Sequence, residues 1–235
     1  MITAALIPAR KGSKGLPGKN LKVICGKPLI DYTILTALEI LEPSLILVSS
    51  DCEDIINRGK KFGTNTIIRP NEFATDNSPI IDTIFHAINF SFEKSDQKVE
   101  SIILLQPTFP IRNTFELKEA IKLFKDENLS SLVSVTKMKE HPSECVSIYN
   151  NDQSKWNFLV DPNDSTNRQD YVGDHFFISG NFYIADIEYL KKNKGFFSKE
   201  TRFFETNNIY SIDIDNQEDF NYAKYCFEMI NKSQN

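Results

Sequence analysis

At 235 residues the chain suffices for one large domain, or for one domain with an inserted lobe. Its 40 % hydrophobic and 25 % charged residues are ordinary for a soluble globular protein. A net charge of −5 argues against general binding to nucleic acid or an anionic membrane, while leaving room for a local basic site.

No apolar run approaches the roughly 20 residues that span a bilayer. The opening stretch lacks the positive leader and small-residue cleavage site of a signal peptide. Cys25, Cys52, Cys145 and Cys226 lie far apart without CxxC spacing, so neither a zinc site nor a disulfide framework is expected. A cytoplasmic, reducing location is the expectation.

In chain order, residues 4–7 form an apolar run entering a Gly- and Lys-rich turn, which predicts a strand and then a loop. Residues 28–41 carry apolar side chains at helical spacing, with Pro28 in the favoured first turn. The aliphatic run 45–48, closed by Ser49, Ser50 and Asp51, predicts a buried parallel strand whose end faces a site. A helix over 53–62 is stopped by Gly63, and a strand over 66–68 ends at Arg69-Pro70. A helix over 80–92 and a strand over 102–105 follow, the latter running into Gln106-Pro107-Thr108. Thr114 is placed to cap a helix with Leu117, Ile121 and Phe124 on its inner stripe. A strand over 132–135 comes next. The alternation predicts an α/β fold, a mostly parallel sheet with helices on both faces and ligands beyond the carboxyl ends of its strands.

Between residues 137 and 177 the alternation lapses, and 150–167 is rich in Asn, Asp, Ser and Pro. We expect an inserted lobe there that contacts the active site or a second subunit. Strands over 181–184 and 209–214 and a helix over 219–230 close the chain. His86 falls in a helical apolar pattern and is expected to be structural, whereas His141 and His175 lie where either could reach a ligand. Trp156 is expected at a subunit contact, and the pairs Phe176-Phe177, Phe196-Phe197 and Phe203-Phe204 in core or interface.

The strongest chemical signal is Ile7-Pro8-Ala9-Arg10-Lys11-Gly12-Ser13-Lys14-Gly15-Leu16-Pro17-Gly18-Lys19-Asn20. Glycines let backbone N–H groups approach an anion, and the cations neutralise it, a combination suited to a triphosphate. A Walker A loop ending at Gly18-Lys19 would need Gly at position 13 and Ser or Thr at position 20, where the chain has Ser13 and Asn20. The dinucleotide fingerprint fails too, because no G-x-G occurs here. Far downstream, Asp213 and Asp215 are two apart in a strand-like run, so both carboxylates share a face opposite Ile212 and Ile214. Taken alone, that pair is either a solvated strand face or a seat for Mg²⁺ beside a triphosphate.

The loop resembles the signature of the acylneuraminate cytidylyltransferases, the CMP-sialic acid synthetase family, through Ala9, Arg10, Ser13, Lys14, Gly15, Lys19 and Asn20. The similarity continues at Val48-Ser49-Ser50-Asp51, Arg69-Pro70, Ala74-Thr75-Asp76 and Leu104-Leu105-Gln106-Pro107-Thr108. It then runs through Arg168-Gln169 and Ser179-Gly180 to Ser211-Ile212-Asp213-Ile214-Asp215, covering nearly the whole chain in the family's order. The resemblance implies a nucleotidyltransferase-like domain, typically a homodimer, that joins CMP from CTP to a 2-keto sugar acid. It also implies Mg²⁺ at Asp213 and Asp215, and phosphate contacts from Arg10, Lys19, Lys14 and the loop backbone at Ala9. Asn20 and Arg69 would hold the ribose and cytosine side and the Ser78 stretch would line the base. Gln106 would touch the sugar acid, and Arg168 would sit in the lobe that closes over it.

Three departures bear on specificity. Ser179 stands before Gly180 where the family usually has Asn, Phe176-Phe177-Ile178 replaces a segment that often holds Arg, and Pro79-Ile80 replaces small polar residues. These lead us to expect a sugar less polar than N-acetylneuraminic acid, with Ser179 in its pocket. A CMP-Kdo synthetase, a legionaminic-type enzyme that uses CTP or GTP, and a non-catalytic nucleotide-sensing module stay open as alternatives.

Overall fold

Strand β1 (Ile2–Pro8) runs through the middle of the sheet, and Ala4, Ala5, Leu6 and Ile7 are all buried. The structure, a computed structural model, describes residues 2–92, 98–149, 152–161, 174–207, 209 and 211–233. After β1 come the short hairpin strands β2 (Val23–Ile24) and β3 (Lys27–Pro28), then α1 (Leu29–Leu38). Two further units follow: β4 (Ile46–Ser50) with α2 (Glu53–Lys61), and β5 (Asn65–Ile68) with α3 (Ile80–Ala87). β6 (Val99–Leu104), α4 (Thr114–Asp126) and β7 (Ser131–Lys137) extend the alternation. A hairpin of β8 (Val146–Tyr149) and β9 (Asp152–Phe158) separates β7 from β10 (Phe176–Asp186). α5 (Ile187–Asn193), β11 (Arg202–Glu205) and α6 (Gln217–Ser233) complete the fold.

Seven strands make the main sheet in the order β11-β7-β10-β6-β1-β4-β5. The pairs of β1 with β4 and β6, of β4 with β5 and of β11 with β7 are parallel; β10 alone runs against its neighbours. Ala5 and Ile7 face a layer built by α1, α2 and α4, while Ala4 and Leu6 face α3 and α5, since successive side chains of a strand alternate. Burial on both faces explains why these strands read as continuous apolar runs. A third cluster joins α6 to the loop after β1, through Phe220 and Ala223 packed with Leu16, Ile24, Ile212 and Ile214. Among the described residues no helix is long and apolar enough to cross a membrane.

Several boundaries differ from expectation. The run 209–214 makes no strand in the described residues, yet Ile212 and Ile214 are buried and Asp213 and Asp215 exposed, so side-chain burial alone sets the alternation. Asn113, not Thr114, caps α4, its side chain accepting from the N–H of Phe115 at 3.0 Å. α3 stops at Ala87 and continues as a wider turn over Ile88–Phe92. Helix α5 and edge strand β11 were not anticipated from periodicity.

The register of β10 against β7 shifts between Ile178 and Tyr183. Gly180 lies in that bulge at φ 73°, and a Cβ there would overlap the Phe109 ring. Gly63 has a similar φ of 76° but open space around it. Gly180→Ala is therefore expected to cost about 2–5 kcal/mol, backbone strain plus overpacking, against about 1–2 kcal/mol for Gly63→Ala. Urea unfolding compares the two, and equal losses would contradict the Phe109 contact.

Candidate active site

The Gly/Lys loop is tied to the ends of two strands. Ala9 N–H donates to Ser49 O at 2.9 Å, and Lys11 N–H donates to Asp51 Oδ1 at 2.7 Å. Asn20 braces the loop from within, its side-chain amide donating to Arg10 O at 2.9 Å. The Lys19 ammonium crosses to the 213–215 run, donating to Ile214 O at 2.7 Å and Asp215 Oδ1 at 2.9 Å. Gly15 packs directly against the Asp215 carbonyl, where a Cβ would overlap the oxygen. Ile214 N–H donates to Thr108 O at 2.9 Å, which fastens the same run to the loop after β6.

Arg69 is 95 % enclosed, at 5 % exposure, and works on the end of β4. Its Nε donates to Ser49 Oγ at 3.2 Å and its second nitrogen to Ser49 O at 2.7 Å. Burial pushes the guanidinium down to about 10, opposed by the charge of Asp51. Arg10 and Lys14 both grip Asp76, at 2.5 and 2.8 Å, and together hold its carboxyl below the usual range. The Ser78 hydroxyl donates to Glu72 O at 2.7 Å, closing the turn that carries Asp76. Although Asp213 is open to solvent on one side, the groups packed around its carboxyl partly desolvate it and raise it, with the charge of Asp215 adding, while a hydrogen bond with Thr108 pulls the other way.

These segments meet at the carboxyl ends of β1, β4 and β6, where Arg10, Lys19, Asn20, Arg69, Ser78 and Gln106 line one cleft of about 260 Å³. A second pocket of about 410 Å³ adjoins it, sharing Ile80 and Gln106 and walled by Tyr183, Lys194, Phe196 and Phe197. The remaining residues singled out above lie elsewhere. Ala9 is buried, so only its backbone is on offer, and Lys14 is largely open to solvent beyond Asp76. Ser179 is buried with its hydroxyl accepting from Thr206 at 3.3 Å, and it lines neither pocket. Phe176, Phe177 and Ile178 are exposed, and Arg168 lies outside the described residues. Sequence reasoning missed Asp76 as the partner of two loop cations, Arg112, and the Tyr183, Phe196 and Phe197 walls. Phe196 is buried in the core as expected and also walls the second pocket, whereas Phe197 is exposed at its rim.

The family model for cytidylyltransferases matches residues 4–232. The chain belongs to this cytidylyltransferase family. It is 35 % identical over 229 residues to the CMP-N,N'-diacetyllegionaminic acid synthase of Legionella pneumophila, covering 96 % of each chain. It is 33 % identical to an N-acylneuraminate cytidylyltransferase of Escherichia coli, matching 93 % of this chain but 50 % of that relative, so it spans about half the latter's length. The fold resembles that of a CMP:2-keto-3-deoxy-manno-octonic acid synthetase solved with CTP, with a TM-score of 0.72, 17 % identity and coverage of 97 % and 99 %.

For a cytidylyltransferase the Asp76 contacts have a consequence. A triphosphate held by Arg10 and Lys14, the role the resemblance implies for them, would have to displace both from Asp76. Exposed ion pairs are weak, so Asp76→Asn is expected to lower the KM for CTP about two- to fivefold. Pyrophosphate-release kinetics measure it; a raised KM would mean that Asp76 assists binding instead.

Proposed function

We propose that this cytidylyltransferase transfers CMP from CTP to the anomeric hydroxyl of a sialic-acid-like nonulosonic acid. The C2 hydroxyl oxygen bonds to the α-phosphorus as the bond from phosphorus to the α,β-bridging oxygen breaks; pyrophosphate leaves with that oxygen, and the hydroxyl proton passes to solvent. Such chemistry asks the protein mainly for positioning and charge neutralisation. The observation that carries this reading is the junction of the Gly/Lys loop with the Asp213–Asp215 run, made by Lys19 at 2.7 and 2.9 Å. In this reading Arg10, Lys14 and Lys19 neutralise phosphate charge, Asn20 keeps the loop in shape, and Arg69 and Ser78 flank the nucleoside.

Hard carboxylate oxygens on Asp213 and Asp215 suit a divalent cation: partial desolvation, and then the charge of Asp215, disfavours ionised Asp213, while Asp215 already accepts from Lys19 at 2.9 Å. Mg²⁺ would be held by Asp213 and Asp215, where it would supply charge neutralisation to the triphosphate. Asp213→Asn or Asp215→Asn is expected to lower kcat at least about a hundredfold without unfolding, several kcal/mol of lost stabilisation. CTP is expected to be preferred over ATP, GTP and UTP. Near-normal turnover of either variant at limiting Mg²⁺ would remove the metal assignment, and equal use of GTP would remove the cytosine preference.

The adjoining pocket is proposed to take the sugar acid. Its walls of Ile80, Tyr183, Phe196 and Phe197 are largely apolar, which supports a substrate with deoxy or acylamino ends. The Legionella relative, whose name specifies a diacetylated legionaminic acid, favours the same class. Apolar walls, and not Ser179, now carry this expectation. The exposed hairpin face supports a homodimer: Val146 pairs with Phe158 and Ile148 with Trp156, all four open to solvent, and a two-stranded ribbon is marginal alone. Free Cys25, Cys52, Cys145 and Cys226 support a reducing, cytoplasmic setting.

A direct test compares kcat/KM for N,N'-diacetyllegionaminic and N-acetylneuraminic acid. At least a tenfold preference for the former, about 1.4 kcal/mol, is expected. A tenfold preference the other way would contradict the apolar sugar pocket and leave cytidylyl transfer intact.

A further inference from the structure

Arg112 donates three hydrogen bonds to three different parts of the fold. Its Nε reaches Asn181 O at 2.7 Å, and its two terminal nitrogens reach Thr33 Oγ1 at 2.9 Å and Gln106 O at 2.5 Å. Every acceptor is neutral, and among the described residues the guanidinium makes no ion pair. Burying a cation without a counter-charge is costly, and burial holds this group down to about 9.

What the cost secures is the direction of one peptide. Asn181 O belongs to the β10 bulge beside Gly180, where the pairing of β10 with β7 is interrupted. Gln106 O is the carbonyl of a residue that lines both the cation-rich cleft and the adjoining pocket. Arg112 therefore locks the Gln106–Pro107 peptide to the strand that carries Tyr183, a wall of that second pocket. The planar guanidinium can hold two carbonyls and a hydroxyl at fixed angles, which a lysine ammonium cannot reproduce.

We infer that Arg112 is a positioning residue for the acceptor sugar, acting through Gln106 and touching neither substrate. The inference rests on the proposed placement of the sugar acid beside Gln106, and its test separates the two. In a double-mutant cycle, Gln106→Ala, Arg112→Lys and the double variant are compared by KM for the sugar acid, KM for CTP, kcat and melting temperature.

Arg112→Lys is expected to raise the KM for the sugar acid at least tenfold while the KM for CTP changes less than about twofold. In the Gln106→Ala background the same substitution should change the sugar-acid KM less than about twofold, because the group it positions is gone. If Arg112→Lys does not fold, Thr33→Val, which removes one acceptor and leaves the other two, takes its place with the same expected signs and a smaller effect. Full additivity in the cycle, or equal rises in both KM values, overturns the positioning role alone. An unchanged sugar-acid KM in Gln106→Ala overturns both that role and the placement of the sugar.

Discussion

Gly15 has no side chain, and the Asp215 carbonyl uses the space. That close approach joins two segments 200 residues apart in sequence: Asp213 and Asp215 line neither pocket themselves, but Lys19, which does line the cleft, reaches across to Ile214 O and Asp215. The contact is not left to charge alone. Ile212 and Ile214 bury themselves with Leu16 and Phe220, so the carboxylates are carried to the loop by apolar packing against α6. Loop, carboxylate run and the turn after β6 then become one body, fastened by Ile214 N–H to Thr108 O.

The rest of the site follows from the sheet. Parallel β6, β1, β4 and β5 end side by side, which gathers Gln106, the Gly/Lys loop and Arg69 at one rim. Antiparallel β10 then brings a different kind of surface to the same place. Tyr183 stands opposite Leu104, two residues before Gln106, and the chain after α5 returns Phe196 and Phe197 to the same wall. A polar, cation-rich cleft and an apolar pocket therefore abut at Gln106 because the strand direction changes there.

The local features were legible in the sequence. Buried-strand runs such as Ala4 to Ile7 declare themselves through composition, and the Gly/Lys loop through density of one kind of residue. The Asp213 and Asp215 alternation was legible for a reason other than the one expected, since burial of Ile212 and Ile214 replaces a strand ladder. Long-range choices were not legible. Whether Asn113 or Thr114 caps α4 depends on a one-residue shift between two competent side chains. The partners of Arg112 lie 6, 69 and 79 residues away, and no local pattern announces them. Phe196 and Phe197 become pocket walls by packing on Tyr183 across α5, a contact that composition does not place.

The claim that the loop and the carboxylate run form one catalytic edge is tested most directly at Gly15. An added methyl group would overlap the Asp215 carbonyl, so loop and run must separate, while the strands and helices around them keep their packing. CTP-dependent pyrophosphate release by Gly15→Ala, measured beside its circular dichroism, should fall at least about a hundredfold with the native spectrum retained. Turnover within a few-fold of the parent protein would contradict the account.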